Sequence, residues 1–412
     1  MRYPQFFALS LLLGATACMS TTDKAIAEPA KTPMSPSWKD RPAESEILYR
    51  KRFAAIAARE RLEYDVMAPV PGAAQSGLPD VSTDALPPSA VEKIVGYAAE
   101  NNSSALLVWH DGKLIAERYF EGNSAATPLV SKSLSKPLSA IAIGRAIALG
   151  DIKSLDQKLS DFIVEWQGTP KESMTVRHML SMASGLLEQS FEMDPDSPFP
   201  RAYLDPYHGQ YIIDEYPLTD TPGTKYSYNN ATGDLVAIVI ERATGRQYEE
   251  FIGTEILRKI GAPGGTIWLN REGGLAHSGC CMLLPAESWL KLGILLVNDG
   301  KVDGAPVLPE GYVDEMRTAS ATNPYYGLGV WIGSPYAERR GFMGPVSQAP
   351  KVFHSAPYLA NDLFLFDGNG NQVTYIVPSR KLVILRMGDS PPKEPEWDNS
   401  FIPNTILKAL DK

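Results

Sequence analysis

The chain has 412 residues, of which 44% are hydrophobic and 21% charged, and its formal net charge is −9. This composition is typical of a globular protein with room for one large domain or two smaller ones. The negative charge and the lack of a basic run give no reason to expect a nucleic-acid partner.

The first residues are typical of an export signal. Arg2 precedes an apolar run over residues 6–17, which is too short to span a bilayer as a helix. Cys18 directly follows small residues, as in a bacterial lipoprotein cleavage site. We therefore expect residues 1–17 to be removed and Cys18 to be lipidated, which would anchor an exported, periplasmic protein to a bacterial membrane. The alternative is plain cleavage after Ala17, which leaves a free thiol.

The next segment, residues 18–88, is predicted to be a tether and an extension of the domain. Up to about residue 42 it is rich in Pro, Ala, Lys and Ser, as flexible chains are. Residues 44–64 have the periodicity of a helix. Proline and glycine then interrupt the chain until Pro88, so we expect the main domain to cover residues 89–412.

The main domain is predicted to have an α+β fold. A helix over 90–99 precedes a hairpin, and Asp111-Gly112 is a strong hairpin turn signal. The predicted strands are 104–109, 113–120, 326–332, 362–366, 371–377 and 382–387. Helical patterns dominate between them, at 175–181, 235–243 and 286–297, and a last helix is expected at 400–410. We therefore expect an antiparallel sheet built from both ends of the domain and flanked by helices, with an inserted helical subdomain at about 145–320. The active site would lie at their seam.

The first chemical motif is Ser133-x-x-Lys136, which stands just before an apolar helical run at 137–149. Side chains three apart share one face of a helix. Ser133 would also lie at the helix N-terminus, where free N–H groups favour negative charge. Lys136 is then a candidate base for a serine nucleophile, provided that burial lowers its pKa.

The same spacing occurs twice more in the chain. Ser288 and Lys291 lie inside a predicted helix, and Ser390 is followed by two prolines before Lys393. Only Ser133 begins a helix, so the position in the chain selects it as the candidate nucleophile.

The second motif is Tyr228-Asn229-Asn230, which precedes the predicted helix at 235–243. A tyrosine beside a lysine can share its proton and pass it to a leaving group. Asn230 is a candidate for orienting Lys136. By itself the stretch is a polar turn before a helix, and its position after Ser133-x-x-Lys136 favours the catalytic interpretation.

The third motif is Phe366-Asp367-Gly368, followed by Asn369. Glycine lets a backbone approach a substrate closely. The N–H groups of Asn369 and Ser133 could form an oxyanion hole. One alternative is an ordinary glycine-rich hairpin loop. Another is a calcium loop, but Gln and Pro stand at positions 372 and 378, where Gly and Glu are needed.

No metal or cofactor is expected. None of the five histidines is spaced to form a zinc pair, and there is no Cys-x-x-Cys. Cys280 and Cys281 are adjacent, and we expect them to be buried apolar residues outside any disulfide framework. His178 is predicted to be a structural helix residue.

With the three motifs in this order, the chain from about residue 88 onward resembles the serine hydrolases of the class C β-lactamase fold. That group also contains β-lactamase-like esterases and 6-aminohexanoate-dimer hydrolase. The resemblance implies that Ser133 is the nucleophile and that Lys136 and Tyr228 are base and proton shuttle. It also implies that Asn230 positions the lysine and that Ser133 and Asn369 donate the oxyanion N–H groups.

One residue departs from the pattern of the penicillin-recognising members. They carry Lys or His at the first position of the third motif, where a cation helps to bind a substrate carboxylate. Phe366 stands there instead, which favours neutral substrates with an apolar acyl group. We therefore predict an exported serine hydrolase of small esters, amides or short peptides. The alternatives are a β-lactamase or D-amino peptidase and a non-catalytic binder of peptidoglycan fragments. The sequence does not indicate an oligomeric state.

Overall fold

The computed structural model describes residues 36–58, 62–74, 77–82, 85–190, 194–345 and 350–411. The predicted signal sequence and Cys18 lie outside these residues. The helices are α1 (Ala43–Ala57), α2 (Pro88–Glu100), α3 (Ser135–Leu149), α4 (Val176–Leu180), α5 (Pro198–Leu204), α6 (His208–Asp214), α7 (Asn230–Thr244), α8 (Tyr248–Ile252), α9 (Ala286–Val297), α10 (Tyr312–Met316) and α11 (Phe401–Leu410). The strands are β1 (Met67–Val70), β2 (Ser103–His110), β3 (Lys113–Tyr119), β4 (Leu129–Val130), β5 (Gly265–Trp268), β6 (Met282–Leu284), β7 (Lys301–Val302), β8 (Ala305–Pro306), β9 (Trp331–Ile332), β10 (Arg339–Gly341), β11 (Lys351–Phe353), β12 (Phe364–Gly368), β13 (Gln372–Val377) and β14 (Leu382–Gly388).

The central element is an antiparallel six-stranded sheet with the order β3-β2-β14-β13-β12-β9. Its first two strands come from the start of the domain and the other four from its end. This confirms the predicted α+β fold, with a sheet assembled from both ends and flanked by helices.

Both faces of the sheet are covered by helices. Along β2, Leu107 points into the larger apolar core while Leu106 and Val108 point into the smaller one, because side chains alternate across a strand. Helix α9 packs on the first face, and α2 packs with α11 on the second. The hairpin between β2 and β3 turns at Asp111 and Gly112, with φ angles of 44° and 85°, as the Asp-Gly signal predicts.

Several element boundaries differ from the prediction, and α7, for example, begins at Asn230 instead of residue 235. Of the predicted strand 326–332 only Trp331–Ile332 is extended, because Gly329 adopts a φ of 73° that ends the regular backbone. Strand β12 begins two residues later than predicted and continues to Gly368, which pairs with Gln372 across a tight turn. The third motif therefore ends a strand rather than lying in a loop. The first helix ends at Ala57 and not near residue 64.

The segment before Pro88 contributes α1 and β1 to the fold. Strand β1 pairs with β5 in a second sheet of order β1-β5-β6-β4, which the sequence pattern did not predict because its strands are only two to four residues long. Arg52 of α1 donates hydrogen bonds to the backbone oxygens of Leu204 and Asn270. Within the described ranges, no helix is both long and apolar enough to cross a membrane.

Candidate active site

Ser133 lies in a 3-10 turn, Lys132–Leu134, that leads directly into α3. Lys136 is in the first turn of α3, and its Nζ lies 3.2 Å from Ser133 Oγ. Strand β4 ends just before this turn, and the backbone N–H of Ser131 donates to Met282 O. The nucleophile candidate is therefore held between the second sheet and a buried helix.

Lys136 is buried, with only 4% of its surface exposed. Its Nζ donates to Asn230 Oδ1 at 2.7 Å and to Gly279 O at 2.8 Å. Burial lowers the pKa of Lys136 to about 7, although the charge of Asp234 opposes this. A large fraction of the amine is therefore neutral at neutral pH.

A neutral amine has two N–H groups and one lone pair. Asn230 Oδ1 and Gly279 O can only accept, so they take the two N–H groups of Lys136. The third neighbour is the hydroxyl of Ser133, which can donate to the lone pair. This is the geometry of a general base beside its nucleophile.

Tyr228 lies in the extended segment before α7, and Lys136 Nζ is 4.8 Å from the centroid of its ring. Its hydroxyl is buried and has no hydrogen bond of regular geometry to the residues that the structure describes. Burial raises the pKa of Tyr228 well above its usual value, and the nearby Ser133 only partly offsets this. Tyr228 therefore stays protonated at neutral pH and is suited to donate a proton.

The start of α7 places Asn230. The side chain of Asn229 caps the helix by accepting from the N–H groups of Ala231 and Thr232. This makes Asn230 the first helical residue, and its own N–H donates to Gln189 Oε1 at 3.0 Å. One turn later on the same helix, Asp234 accepts from Gly279 N at 2.8 Å.

The end of β12 approaches Ser133 closely. A Cβ atom on Gly368 would lie 3.1 Å from the backbone nitrogen of Ser133, so only glycine allows this approach without displacement. Asn369 follows and lines the cleft in front of Ser133. The structure thus brings together Ser133, Lys136, Tyr228, Asn230 and the end of the third motif.

Phe366 was expected among the substrate-site residues, but it does not line the cleft. The side chain of Phe366 is fully buried in the larger apolar core, and Asp367 is the residue that lines the cleft. The reason is strand alternation, which points neighbouring residues to opposite faces. Asp367 forms a buried ion pair with Arg340, whose guanidinium also lies over the ring of Trp331. Burial raises the pKa of Asp367, and Arg340 opposes this shift.

The cleft has a volume of about 490 Å³. Its walls are mixed, since Lys351, Lys393 and Glu396 line it beside apolar side chains, and Ser133, Tyr228 and Asn230 lie among its lining residues. The apolar side chains lining it are Phe342, Met343, Pro350, Val352, Phe353, Pro391, Pro392 and Trp397. Such a cleft suits a small substrate with an apolar part.

Three residues around Lys136 were missed by the sequence analysis. Gly279 contributes only its backbone, which carries no sequence signal. Gln189 lies in an irregular segment, and its contact with Asn230 depends on the tertiary fold. Asp234 offered one signal, since it is a carboxylate that directly precedes the apolar run 235–240 of α7.

The cysteine prediction was partly wrong. Cys280 and Cys281 are buried as expected, but they are joined to each other by a disulfide bond. Two adjacent cysteines can bond to each other and need no distant partner. His178, in contrast, completes a capping box with Thr175 at the start of α4, as its predicted structural role requires.

His208, Asp234 and His277 form a buried group whose candidate metal-ligand atoms lie within 4.8 Å of one another. Their separation in the sequence concealed this proximity. His277 Nδ1 is hydrogen-bonded to Asp234 at 2.9 Å, and the two imidazole rings stack with centroids 4.0 Å apart. Asp234 also accepts a hydrogen bond from the Gly279 N–H, so these three side chains help to fix the backbone at Gly279.

The amino-acid sequence of this chain is similar to those of known hydrolases. The family described as Beta-lactamase matches residues 91–281. A 6-aminohexanoate-dimer hydrolase from Paenarthrobacter ureafaciens is 25% identical over 230 residues. That match covers 53% of this chain and 57% of the relative, so it spans little more than half of each protein.

Solved structures share the fold at lower identity. A putative 6-aminohexanoate-dimer hydrolase from Bacillus anthracis superposes with a TM-score of 0.61 at 20% identity, covering 91% of this chain and 95% of that one. A putative beta-lactamase from Bacteroides dorei gives a TM-score of 0.62 at 16% identity, covering 79% of this chain and all (100%) of that one. These structures establish the similarity of fold.

Proposed function

We propose that the chain, whose residues 91–281 match the family described as Beta-lactamase, is a serine hydrolase that cleaves small ester or amide bonds through an acyl-enzyme on Ser133. The observation that carries the proposal is the environment of Lys136. A buried lysine with a pKa of about 7, whose two other neighbours are obligate acceptors, has its lone pair available to the Ser133 hydroxyl.

Acylation follows from these positions. Ser133 Oγ attacks the substrate carbonyl while its proton passes to Lys136 Nζ. The oxyanion accepts from the backbone N–H groups of Ser133 and Asn369, and the close approach of Gly368, which precedes Asn369, to the Ser133 nitrogen supports this pair of donors. Tyr228, which keeps its proton at neutral pH, donates to the leaving group and is reprotonated from Lys136.

Deacylation reverses these proton transfers. A water molecule attacks the acyl carbonyl and gives a proton to the neutral Lys136. The Ser133 oxygen then leaves as the hydroxyl, and the free acid departs.

An acyl group with an apolar part fits the lining of the cleft. The carboxylate of Asp367 is already paired with Arg340. Apolar side chains such as Phe342, Phe353 and Trp397 line the cleft together with the charged side chains Lys351, Lys393 and Glu396. The similarity to a 6-aminohexanoate-dimer hydrolase supports linear amides, besides esters, as substrates to test.

We also propose that the protein is exported and anchored to a membrane by lipid on Cys18. The support is the sequence of residues 1–17 with Cys18 behind it. Mass analysis of the protein from a bacterial host would detect the lipid, and Cys18→Ala should move the protein from the membrane to the soluble fraction. An unmodified Cys18 at the N-terminus of an exported protein would contradict the anchor and support cleavage after Ala17.

The central test is the mass of the intact protein after brief mixing with p-nitrophenyl butyrate. Wild type should gain one butyryl group and Ser133→Ala none. Ser288→Ala is the matched control, because Ser288 belongs to another Ser-x-x-Lys sequence but lies in α9 with its hydroxyl bonded to Pro263 O at 2.7 Å. It should acquire the adduct like wild type.

Other outcomes would favour other functions. Full activity in Ser133→Ala would refute the proposal. Rapid hydrolysis of a chromogenic cephalosporin or of a D-amino peptide, with little esterase activity, would favour the β-lactamase or peptidase alternative. Binding of peptidoglycan fragments by calorimetry, with neither adduct nor nitrophenol release, would favour the non-catalytic binder.

A further inference from the structure

The turn over residues 277–281, called here the Gly279 turn, is part of the site but belongs to none of the three motifs. Its Gly279 carbonyl is one of the two acceptors of Lys136 Nζ, at 2.8 Å. The N–H of the same residue donates to Asp234 Oδ1, also at 2.8 Å. The position of this one peptide thus bears directly on the orientation of the lysine.

The start of the turn is tied to both catalytic helices. Ser278 Oγ donates to Gly233 O at 2.9 Å and accepts from Ala237 N at 3.1 Å, which joins it to α7. Ser139 Oγ, on α3, donates to Ser278 O at 2.7 Å. The residues before Gly279 are therefore held by several hydrogen bonds.

The end of the turn is held differently. The Cys280–Cys281 disulfide closes a small ring around the peptide that joins the two residues. Cys281 has a φ of 67°, a left-handed conformation that residues with a side chain rarely adopt. The next residue, Met282, exchanges two hydrogen bonds with Ser131, which lies two residues before Ser133. The disulfide thus lies between Gly279, whose carbonyl accepts from Lys136, and Met282, which holds the segment just before Ser133.

We propose that Cys280 and Cys281 are positioning residues, whose disulfide holds the Gly279 carbonyl where it orients Lys136 toward Ser133. Opening the disulfide therefore slows acylation. This inference rests on the proposed function of Ser133 and Lys136 and adds a redox requirement to it.

The chemical step is a two-electron reduction. A dithiol transfers two electrons and two protons to the Cys280 Sγ–Cys281 Sγ bond, which becomes two thiols, while the dithiol closes to its own disulfide. Without the ring, Cys281 is free to leave its left-handed conformation. The Gly279 carbonyl then shifts, and Lys136 loses an acceptor that both orients its amine and stabilises its protonated form.

The test compares the full chain in its oxidised form, after reduction by a dithiol, and after reoxidation. Alkylation and mass analysis should count two more thiols in the reduced protein. Butyrylation of Ser133 by p-nitrophenyl butyrate should slow by about 10- to 100-fold on reduction. The acid limb of its pH profile should move below the value near 7 expected for the oxidised protein. Both effects should reverse on reoxidation.

The double variant Cys280→Ser, Cys281→Ser is the matched control. It should react slowly with and without dithiol, because it has no bond to open. An equal rate and pH profile in all forms would overturn the proposal. Loss of thermal cooperativity on reduction would also overturn it, since a local change at the Gly279 turn is what the structure supports.

A readout independent of turnover separates this inference from the proposed function. Hydrogen exchange of the Gly279 amide, which is bonded to Asp234 and buried, should accelerate on reduction while exchange in the β13–β14 ladder stays unchanged. If the oxidised protein is not acylated at all, the proposed function fails and exchange alone decides the role of the disulfide. Unchanged exchange at Gly279 would refute that role.

Discussion

At the scale of single residues, the site depends on a lysine that the fold keeps out of water. The first ten residues of α3 are buried, so Lys136 cannot extend into solvent as lysines usually do. Desolvation disfavours the ammonium form, and two uncharged oxygens only partly replace the lost hydration. The helix thus supplies the base by burial, which is the main cause of the lowered pKa of Lys136.

The pH dependence of acylation tests this account. Protonated Lys136 cannot accept the proton of Ser133, so the rate should rise with pH through about 7 and level off above it. The measurement is the second-order rate constant for p-nitrophenyl butyrate across the neutral range. Lys136→Arg, which stays protonated, should be inactive at every pH. A rate that rises only near pH 10.5, the ordinary pKa of a lysine, would contradict the burial argument.

The proton donated by Tyr228 should matter only for poor leaving groups. Tyr228→Phe should slow the hydrolysis of an alkyl amide about 100-fold or more, and that of a p-nitrophenyl ester much less, because nitrophenolate leaves without a proton. Tyr226→Phe is the matched control, since Tyr226 is also buried with a raised pKa but does not line the cleft. Equal losses for both substrates in Tyr228→Phe would exclude this role.

At the scale of secondary structure, the functional groups lie where elements begin or end. Ser133 precedes α3, Asn230 begins α7, and Gly368 ends β12. Each of these ends has free backbone groups or a change of direction that an element interior lacks. The end of β12 packs closely against the turn of Ser133, and the proposed oxyanion hole depends on this contact.

Gly368→Ala tests that contact. The added methyl group would lie 3.1 Å from Ser133 N and 3.2 Å from Leu134 N, so β12 must move away. We expect acylation to slow about 10- to 100-fold, with little change in fold by circular dichroism. Gly96→Ala makes the same chemical change in α2, where nothing lies within 4 Å, and should leave the rate unchanged. An unaffected rate in Gly368→Ala would mean that the distance between strand and turn does not limit the reaction.

At the scale of the whole molecule, the candidate active site is formed by residues from distant parts of the chain. The six-stranded sheet contributes the end of β12, and the helical part contributes α3, α7 and the Gly279 turn. The segment before Pro88 packs on the far side of that turn, where Tyr49 and Phe53 share an apolar cluster with Cys280 and Cys281. It therefore stabilises the domain without lining the cleft.

Arg52→Ala tests the contribution of this segment. The substitution leaves the oxygens of Leu204 and Asn270 without their charged donor and removes the ion pair with Asp65. We expect the free energy of unfolding to fall by about 2–3 kcal/mol in urea titrations. The control Arg50→Ala, an exposed arginine on the same helix, should cost less than about 1 kcal/mol. Equal losses in both variants would show that Arg52 does not join the segment to the domain.

The amino-acid sequence by itself determined the fold class and the three motifs. The hairpin of β2 and β3, the apolar strands β13 and β14 and helices such as α9 are local patterns, so periodicity and turn residues were sufficient to predict them. The nucleophile candidate could be selected among three Ser-x-x-Lys sequences because only one of them precedes a helix. The order of the motifs then indicated the family.

Only the tertiary structure decided what surrounds Lys136. The contact of Lys136 with the Gly279 carbonyl and the pairings of β1 with β5 and of β4 with β6 join residues more than a hundred positions apart. The bond between Cys280 and Cys281 joins neighbours, but two adjacent cysteines in a sequence do not by themselves indicate it. Strand register likewise decided that Asp367, and not Phe366, faces the cleft. Local patterns report which residues form an element, whereas the pKa of a base depends on everything that excludes water from it.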